Sequence, residues 1–335
     1  MGKFINRLVT LTAAAAVLPQ VVYRVKNRKK NNDYHQDRIY SQKQESSQIT
    51  AYRLAGVDGF GLFVKVYQAQ RPAKALVYLI HGAMEHSGRY EKLAHALLDA
   101  GYAVITNDHR GHGHSVSDDY PLGTMKGANE LITDMETVVD FAKSLFPDVP
   151  VYLFGHSMGS MLARLLLLER DGTFDKVILT GVPPYNPFAQ VGVALANLVS
   201  FYQGEDHYTP WLNVLPTDDS WIANNQDHLS KIASDQLSMG HFNNGGYRTM
   251  YQINSMLAYP QDFRTIKPDT KILLMVGEQD DQITGGQAGL NDSIQRLAKL
   301  GYSDISLQVY PGMKHEIIHE KDGDQVIAAM IDFYD

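Results

Sequence analysis

Short runs of apolar residues recur along the chain from residue 75 onward, and stretches with helical spacing lie between them. Almost every position in these runs is apolar, which is typical of strands covered on both faces of a parallel sheet. Alternation of such strands with helices predicts a doubly wound sheet with right-handed crossovers. We therefore expect an α/β fold, with strands at 75–80, 103–106, 151–154, 176–179, 271–276 and 305–310, and helices at 90–100, 128–145 and 158–169.

Two segments interrupt this alternation. Residues 51–70 contain three glycines and predict an antiparallel hairpin at the start of the sheet. Residues 183–268 separate two strands by far more than a crossover helix needs, and they hold both tryptophans. An insertion rich in aromatic and amide side chains suits a helical cap over a site, although an unrelated helical subdomain fits the same composition.

The N-terminal part of the chain differs from the rest. Within residues 1–30, the apolar run Leu8–Val22 lies between basic residues. As a helix it would span roughly 22 Å, less than the roughly 30 Å hydrocarbon core of a bilayer. Both a signal-like leader of an exported protein and an uncleaved membrane-associating segment, which the following basic cluster would hold on the cytoplasmic face, fit this pattern. Residues 31–49 are polar and predict a tether, so the folded domain is expected to span 50–335.

Composition excludes several classes of function. The net charge of −7 gives no electrostatic reason to expect a nucleic-acid partner. The chain has no cysteine, which excludes disulfides, cysteine-ligated zinc and thiol catalysis. Its 335 residues are enough for one large α/β domain that carries an insertion.

Residues 154–160 read Phe-Gly-His-Ser-Met-Gly-Ser and join a predicted strand to a predicted helix. This is the context of a nucleophile elbow, in which a sharp turn holds a serine above the edge of the sheet. Glycines on both sides of Ser157 would let the helix pack tightly on its own strand. An ordinary glycine-rich turn would also match the bare pattern, but the flanking elements favour Ser157 as a nucleophile.

A nucleophilic serine needs a histidine base and an acid that orients the base, in the order Ser, acid, His in this kind of fold. His315 follows the strand at 305–310 and is the candidate base. Asp280 and Asp281 both follow the strand at 271–276, and spacing alone does not choose between them; Glu278 is a weaker third candidate. The oxyanion donors are expected at the backbone N–H groups of Met158 and of Ala83, in the loop after the strand at 75–80.

Five motifs follow one another in the chain: His-Gly-Ala-Met-Glu-His-Ser-Gly-Arg-Tyr (81–90), Asp-His-Arg-Gly-His-Gly-His-Ser (108–115), Gly-His-Ser-Met-Gly (155–159), Gly-Glu-Gln-Asp (277–280) and Tyr-Pro-Gly-Met-Lys-His (310–315). In this order they resemble the monoacylglycerol lipase and lysophospholipase branch of the α/β-hydrolases, with a serine aminopeptidase S33-type domain, over residues 50–335.

The resemblance implies the α/β-hydrolase fold, carboxylic ester hydrolysis under a helical cap, and a small-molecule lipid or ester substrate. It also implies Asp280 as the acid, His315 as the base, and Ala83 and Met158 as oxyanion donors. Relatives often have proline where this chain has Asp281-Gln282, and the cap carries none of these motifs, so the resemblance does not specify which ester is cleaved.

Two other functions fit parts of the sequence. Residues 315–319 read His-Glu-Ile-Ile-His, the pattern of a zinc peptidase with Glu316 as its general base and His319 as a second ligand. Pro311-Gly312 indicates a loop there, which disfavours zinc. A catalytically silent binding protein is disfavoured because all three triad side chains are present. His109, His112 and His114 lie in a glycine-rich loop and favour packing over metal binding, so we expect neither a cofactor nor a metal.

Overall fold

The computed structural model describes residues 38–69, 72–216 and 218–335. Within these residues nine strands form one sheet. In chain order they are β1 (Ile39–Gln44), β2 (Ile49–Ala55), β3 (Gly61–Tyr67), β4 (Leu76–Ile80), β5 (Ala103–Asn107), β6 (Val151–His156), β7 (Phe174–Thr180), β8 (Lys271–Gly277) and β9 (Asp304–Tyr310). Their order across the sheet is β1-β2-β3-β5-β4-β6-β7-β8-β9. Every pair from β5 to β9 is parallel, whereas β1, β2, β3 and β5 pair antiparallel, so the six predicted strands and the mostly parallel sheet are confirmed.

Helices cover both faces of this sheet. Alternate side chains of β4 enter two separate cores. Tyr78 packs in the core that contains side chains of the helices at 128–145 and 158–169. Val77 packs in the core that contains side chains of the helices at 91–99 and 323–334. Because both faces are buried, each central strand needs apolar side chains at consecutive positions. The helices are α1 (Glu91–Asp99), α2 (Ala128–Leu145), α3 (Met158–Glu169), α4 (Ala189–Gln203), α5 (Gln226–Ser234), α6 (Asn244–Met256), α7 (Asp281–Thr284), α8 (Gly286–Lys299) and α9 (Gly323–Tyr334), with 3₁₀ turns at Ser87–Tyr90, Pro210–Leu212, Asp219–Trp221 and Ile317–His319.

The start of the folded domain differs from the sequence expectation. The hairpin predicted at 51–70 is present as β2 and β3. Residues 39–44, assigned above to the polar tether at 31–49, instead form β1, which pairs with β2 from Ile39 opposite Leu54 to Gln44 opposite Thr50. All residues of β1 after the first are exposed. This edge strand therefore lacks the apolar alternation that would have revealed it, and the sheet begins well before residue 50.

The predicted N-terminal segment at 1–30 lies outside the described residues. Among the residues that the structure describes, no helix combines the length and the hydropathy needed to cross a bilayer.

The insertion between β7 and β8 carries α4, α5 and α6. Helices α4 and α6 touch closely, since a Cβ on Gly192 would lie 2.2 Å from a ring carbon of Tyr251. Buried side chains of the insertion, among them Ala196, Phe242 and Ile253, belong to the same core as the sheet. The insertion is therefore packed onto the α/β domain as a cap.

Candidate active site

Ser157 occupies the turn between β6 and α3, as a nucleophile elbow requires. Its backbone has φ 53° and ψ −118°, a conformation that non-glycine residues rarely adopt and that costs of the order of 1–3 kcal/mol. The turn is held in place because the Ser157 N–H donates to the Thr180 carbonyl on β7 at 2.9 Å. Backbone strain at a buried serine that starts a helix is typical of a functional site.

The two glycines of the motif explain how this turn fits. A Cβ on Gly155 would lie 2.5 Å from the Gly159 carbonyl oxygen, and a Cβ on Gly159 would lie 2.3 Å from the Ile80 carbonyl oxygen. Neither position has room for a side chain, because α3 packs directly against β6 and the end of β4. The Gly-x-Ser-x-Gly spacing is thus a packing requirement.

His315 and Asp280 form a buried pair at the carboxyl ends of β9 and β8. The His315 Nδ1 and the Asp280 Oδ2 are 2.9 Å apart, and both side chains are almost completely buried. Burial alone would lower the pKa of His315, but the charge of Asp280 and its hydrogen bond outweigh burial and raise this pKa above its ordinary value. Asp281 is exposed at the start of α7, and Glu278 accepts a hydrogen bond from the Gly312 N–H. Of the three carboxylates considered above, Asp280 is therefore the one that contacts the imidazole.

The imidazole of His315 lies close to the turn that carries Ser157. Its Nε2 is buried and has no hydrogen-bond partner among the described residues. The His315 ring lies 4.6 Å from the ring of His156, the neighbour of Ser157, and 4.8 Å from Trp221 of the cap. A Cβ on Gly181 would lie 2.4 Å from the His315 Cε1, so this glycine leaves room for the imidazole. A buried nitrogen with a free lone pair is suited to accept a proton.

The predicted oxyanion donors lie close to Ser157. Met158 is the first residue of α3, where the backbone N–H has no partner within the helix. Gly82, which precedes Ala83, packs against Ser157: a Cβ on Gly82 would lie 3.1 Å from the Ser157 Cβ. The Gly82 N–H is held by the Glu85 carboxylate, which fixes the backbone on which Ala83 sits.

A buried ion network that the sequence analysis did not identify joins the loops of Ala83 and His315. Arg89 contacts Glu85 at 3.2 Å and Glu316 at 2.5 Å. Burial raises the pKa of Glu85. Burial would also raise the pKa of Glu316, but Arg89 and a hydrogen bond from His228 hold it well below its ordinary range. The charged residues Glu85 and Arg89 of the 81–90 motif were the only sequence feature that pointed to this network. Their partner Glu316 lies 227 positions from Arg89 in the chain, so the sequence does not indicate the pairing.

The histidine pattern at 315–319 does not form a zinc site. Its last three residues are a single 3₁₀ turn rather than part of an α-helix, and His315 is paired with Asp280. Glu316, His319 and His228 of α5 do come within 4.8 Å of one another. The rings of His228 and His319, however, are stacked 4.2 Å apart at 14°. The lone pairs of nearly parallel rings do not converge on one ion, and the Arg89 guanidinium already binds the Oε2 atom of Glu316.

The histidines of the 108–115 loop pack beneath the site. His109 and His112 are buried beside His81. Burial lowers the pKa of His109 to about 3 and that of His112 to about 4, so both rings are neutral at neutral pH. His81 Nε2 accepts from the His109 N–H at 2.9 Å, whereas His114 is exposed. These rings hold the loops together as the packing interpretation expected.

A cavity of about 220 Å³ opens beside Ser157, between the sheet edge and the cap. Residues of the insertion, including Ala189 of α4 and Met250 of α6, form much of its wall, and no charged side chain lines it among the described residues. Its lining is Ser157, Met158, Met161, Pro183, Pro184, Asn186, Ala189, Val214, Leu215, Met250, Tyr251, Asn254, Gln282 and Ile283.

The chain is similar in sequence to known hydrolases. Residues 71–322 match the family model described as serine aminopeptidase, S33. The chain is 30% identical to human monoglyceride lipase over 275 residues, covering 80% of this chain and 84% of that protein. It is 27% identical to a monoacylglycerol lipase of Mycolicibacterium smegmatis, covering 83% and 94%.

Solved structures resemble the chain in fold. A carboxyl esterase from Bacillus coagulans superposes with a TM-score of 0.74 at 24% identity, covering 86% of this chain and 98% of that one. A monoglyceride lipase from Saccharomyces cerevisiae gives a TM-score of 0.67 at 20% identity, covering 88% and 96%. These likenesses show the α/β-hydrolase fold.

The pairing of His315 with Asp280 predicts a specific titration. In Asp280→Asn the charge that raises the pKa of His315 is lost while burial remains, so His315 should become neutral at a lower pH than in the wild type. Asp281→Asn, which changes an exposed carboxylate, should leave the His315 titration unchanged. Side-chain ¹H–¹⁵N NMR of the histidines measures both, and a shift in the Asp281 variant without one in the Asp280 variant would reverse the assignment.

Proposed function

Because the chain belongs to the serine aminopeptidase S33 family and is a serine ester hydrolase, we propose that it cleaves monoacylglycerols through a triad of Ser157, His315 and Asp280. The observation that carries this proposal is the buried His315–Asp280 pair beside a strained serine and an uncharged cavity. Lysophospholipid-type esters are the next candidates, since a phospholipase of Bacillus subtilis is also similar to the chain, at 26% identity. A lysophospholipid phosphate would find no cationic partner in the described cavity lining, which favours the neutral monoacylglycerol.

The proposed reaction follows from the positions of these groups. Ser157 Oγ attacks the ester carbonyl while His315 Nε2 takes the hydroxyl proton, and Asp280 stabilises the imidazolium that forms. The backbone N–H groups of Ala83 and Met158 hold the oxyanion. His315 then protonates the departing glycerol oxygen, which leaves the acyl group on Ser157. A water molecule, deprotonated by His315, releases the fatty acid and restores the serine.

The cavity supports an acyl chain as the group bound beside Ser157. Its methionine, proline, leucine, valine and isoleucine side chains offer apolar contact along a path between α6 and α7. Each methylene that leaves water for such a surface contributes about 0.8 kcal/mol. Affinity should therefore grow with chain length until the cavity is filled.

The outer surface of the cap supports a lipid surface as the source of substrate. Helix α4 exposes an apolar stripe at helical spacing, and an exposed stripe of this kind is typical of contact with a membrane or a partner. We propose that this face and the apolar run at 8–22 associate the enzyme with a membrane surface. The stripe consists of Phe188, Val191, Leu195, Leu198 and Tyr202.

The triad proposal predicts the outcome of a substrate panel. The wild type should release fatty acid from 1-monoacylglycerols and, more slowly, from lysophosphatidylcholine of the same acyl chain. Ser157→Ala should reduce both rates to the level without enzyme, because the acyl-enzyme cannot form, and should keep the wild-type Tm. Undiminished monoacylglycerol turnover by a folded Ser157→Ala protein would refute the triad, and faster lysophospholipid cleavage would refute the headgroup assignment.

The acyl-chain assignment predicts a change in chain-length preference. Leu215 lines the cavity and is only partly buried, so Leu215→Trp should narrow the cavity with little effect on folding. We expect kcat/KM for a 16-carbon monoacylglycerol to fall at least about tenfold, the effect of roughly two lost methylene contacts. The value for a 4-carbon ester should stay within about twofold. Equal losses for both substrates would place the acyl chain elsewhere.

A further inference from the structure

One segment of the cap, residues 221–239, contacts both loops that carry the proposed catalytic groups; we call it the cap strap. The first of these loops, residues 311–320, carries His315, and the second, residues 81–90, carries Ala83. The start of the cap strap accepts two backbone hydrogen bonds from the 311–320 loop. The His315 N–H donates to the Trp221 carbonyl at 3.4 Å, and the Glu316 N–H donates to the Ile222 carbonyl at 2.9 Å. The base itself is thus attached to the cap through its own backbone.

Two asparagines extend this contact along the 311–320 loop. The Asn224 N–H donates to the Glu320 carboxylate at 2.9 Å, and its side-chain amide donates to the Gly312 carbonyl at 2.8 Å. The Asn225 amide donates to the His319 carbonyl at 2.8 Å. The loop is therefore held on both sides of His315 by one short stretch of the cap.

Helix α5, in the middle of the cap strap, supplies a charged contact. His228 Nε2 lies 2.6 Å from Glu316 Oε2, and both side chains are largely buried. Because an ionised carboxylate only accepts hydrogen bonds, we assign a proton to His228 Nε2, which then donates to Glu316; the Arg89 Nη2 lies 3.0 Å from the same nitrogen. Glu316 is also bound by Arg89 of the 81–90 loop. The histidine of the cap thus completes the network that joins the two catalytic loops.

The far end of α5 holds the other loop. Asp235, directly after α5, lies 2.8 Å from His86 Nε2, and the pair is mostly buried. Four residues later the Met239 N–H donates to the Met84 carbonyl at 3.1 Å. Met84 follows Ala83 and has a left-handed φ of 61°, so this hydrogen bond fixes a strained part of the oxyanion turn.

We propose that His228 and Asp235 are positioning residues, through which the seated cap strap sets the alignment of the base loop and the oxyanion loop. The proposal rests on the function proposed above. The two residues are about 10 Å apart along α5, and each forms a polar pair with a different loop. Catalytic groups must be held to within about 0.5 Å, and two loops from distant parts of the chain need a common support to reach that precision. Lifting the cap strap would therefore disturb the catalytic geometry.

The test uses the full-length protein and p-nitrophenyl butyrate, whose short acyl chain makes the rate depend little on binding under the cap. His228→Ala and Asp235→Ala should each lower kcat about 10- to 100-fold, with KM within about threefold. His228→Gln and Asp235→Asn keep a hydrogen-bonding group at each position and should recover at least half of the lost activity on a logarithmic scale. His207→Ala, an exposed histidine elsewhere on the cap, is the matched control and should equal the wild type.

Other outcomes separate this proposal from the triad. Wild-type kcat in both alanine variants, or an increase in KM alone, would overturn the positioning role while Ser157→Ala still abolished activity. Activity that survived in Ser157→Ala would instead overturn the proposed function. If either alanine variant fails to fold by circular dichroism, His228→Leu or Asp235→Leu, which keeps side-chain bulk without the polar pair, decides: a kcat lowered at least about tenfold in a folded protein supports positioning, and a wild-type kcat contradicts it.

Discussion

The active site depends on one buried contact, the hydrogen bond between the Asp280 carboxylate and the His315 imidazole. A carboxylate removed from water is costly unless it is paired and hydrogen-bonded. Asp280 is paired with the His315 imidazole, and its charge raises the pKa of His315. The contact orients His315 so that its second nitrogen is free. Strands β8 and β9 are adjacent and parallel, so their carboxyl ends deliver the two residues to the same edge.

The position of Ser157 follows from a second constraint, the close approach of α3 to the sheet. With glycine at 155 and 159 the helix touches the backbone of β4 and β6, and the turn between strand and helix must be sharp. The resulting strain falls on Ser157 and is balanced by its hydrogen bond to β7. Backbone geometry at the sheet edge therefore positions His315 and Ser157, and the cap strap adds polar contacts to the loop that carries His315.

Much of this arrangement could be predicted from the sequence. Strands buried on both faces are continuous apolar runs, which can be recognised in the sequence. The glycine spacing around Ser157 can also be recognised, because it results from the close packing of helix on strand. Strand β1 left no such signal because its side chains are exposed. The choice of Asp280 over Asp281 depends on which carboxylate turns inward at the start of α7, which spacing does not encode. The pairs Arg89–Glu316 and His228–Glu316 join residues that are far apart in the sequence. No local pattern marks them as partners, and only folding brings them together.

A crystal structure of the enzyme after reaction with a long-chain alkyl fluorophosphonate would locate the nucleophile, the oxyanion donors and the acyl site together. We expect phosphorus bonded to Ser157 Oγ, a phosphonyl oxygen within hydrogen-bond distance of the Ala83 and Met158 N–H groups, and the alkyl chain in the cavity between α6 and α7. Phosphorus on any other residue, or an unmodified Ser157 in an inactivated enzyme, would contradict it.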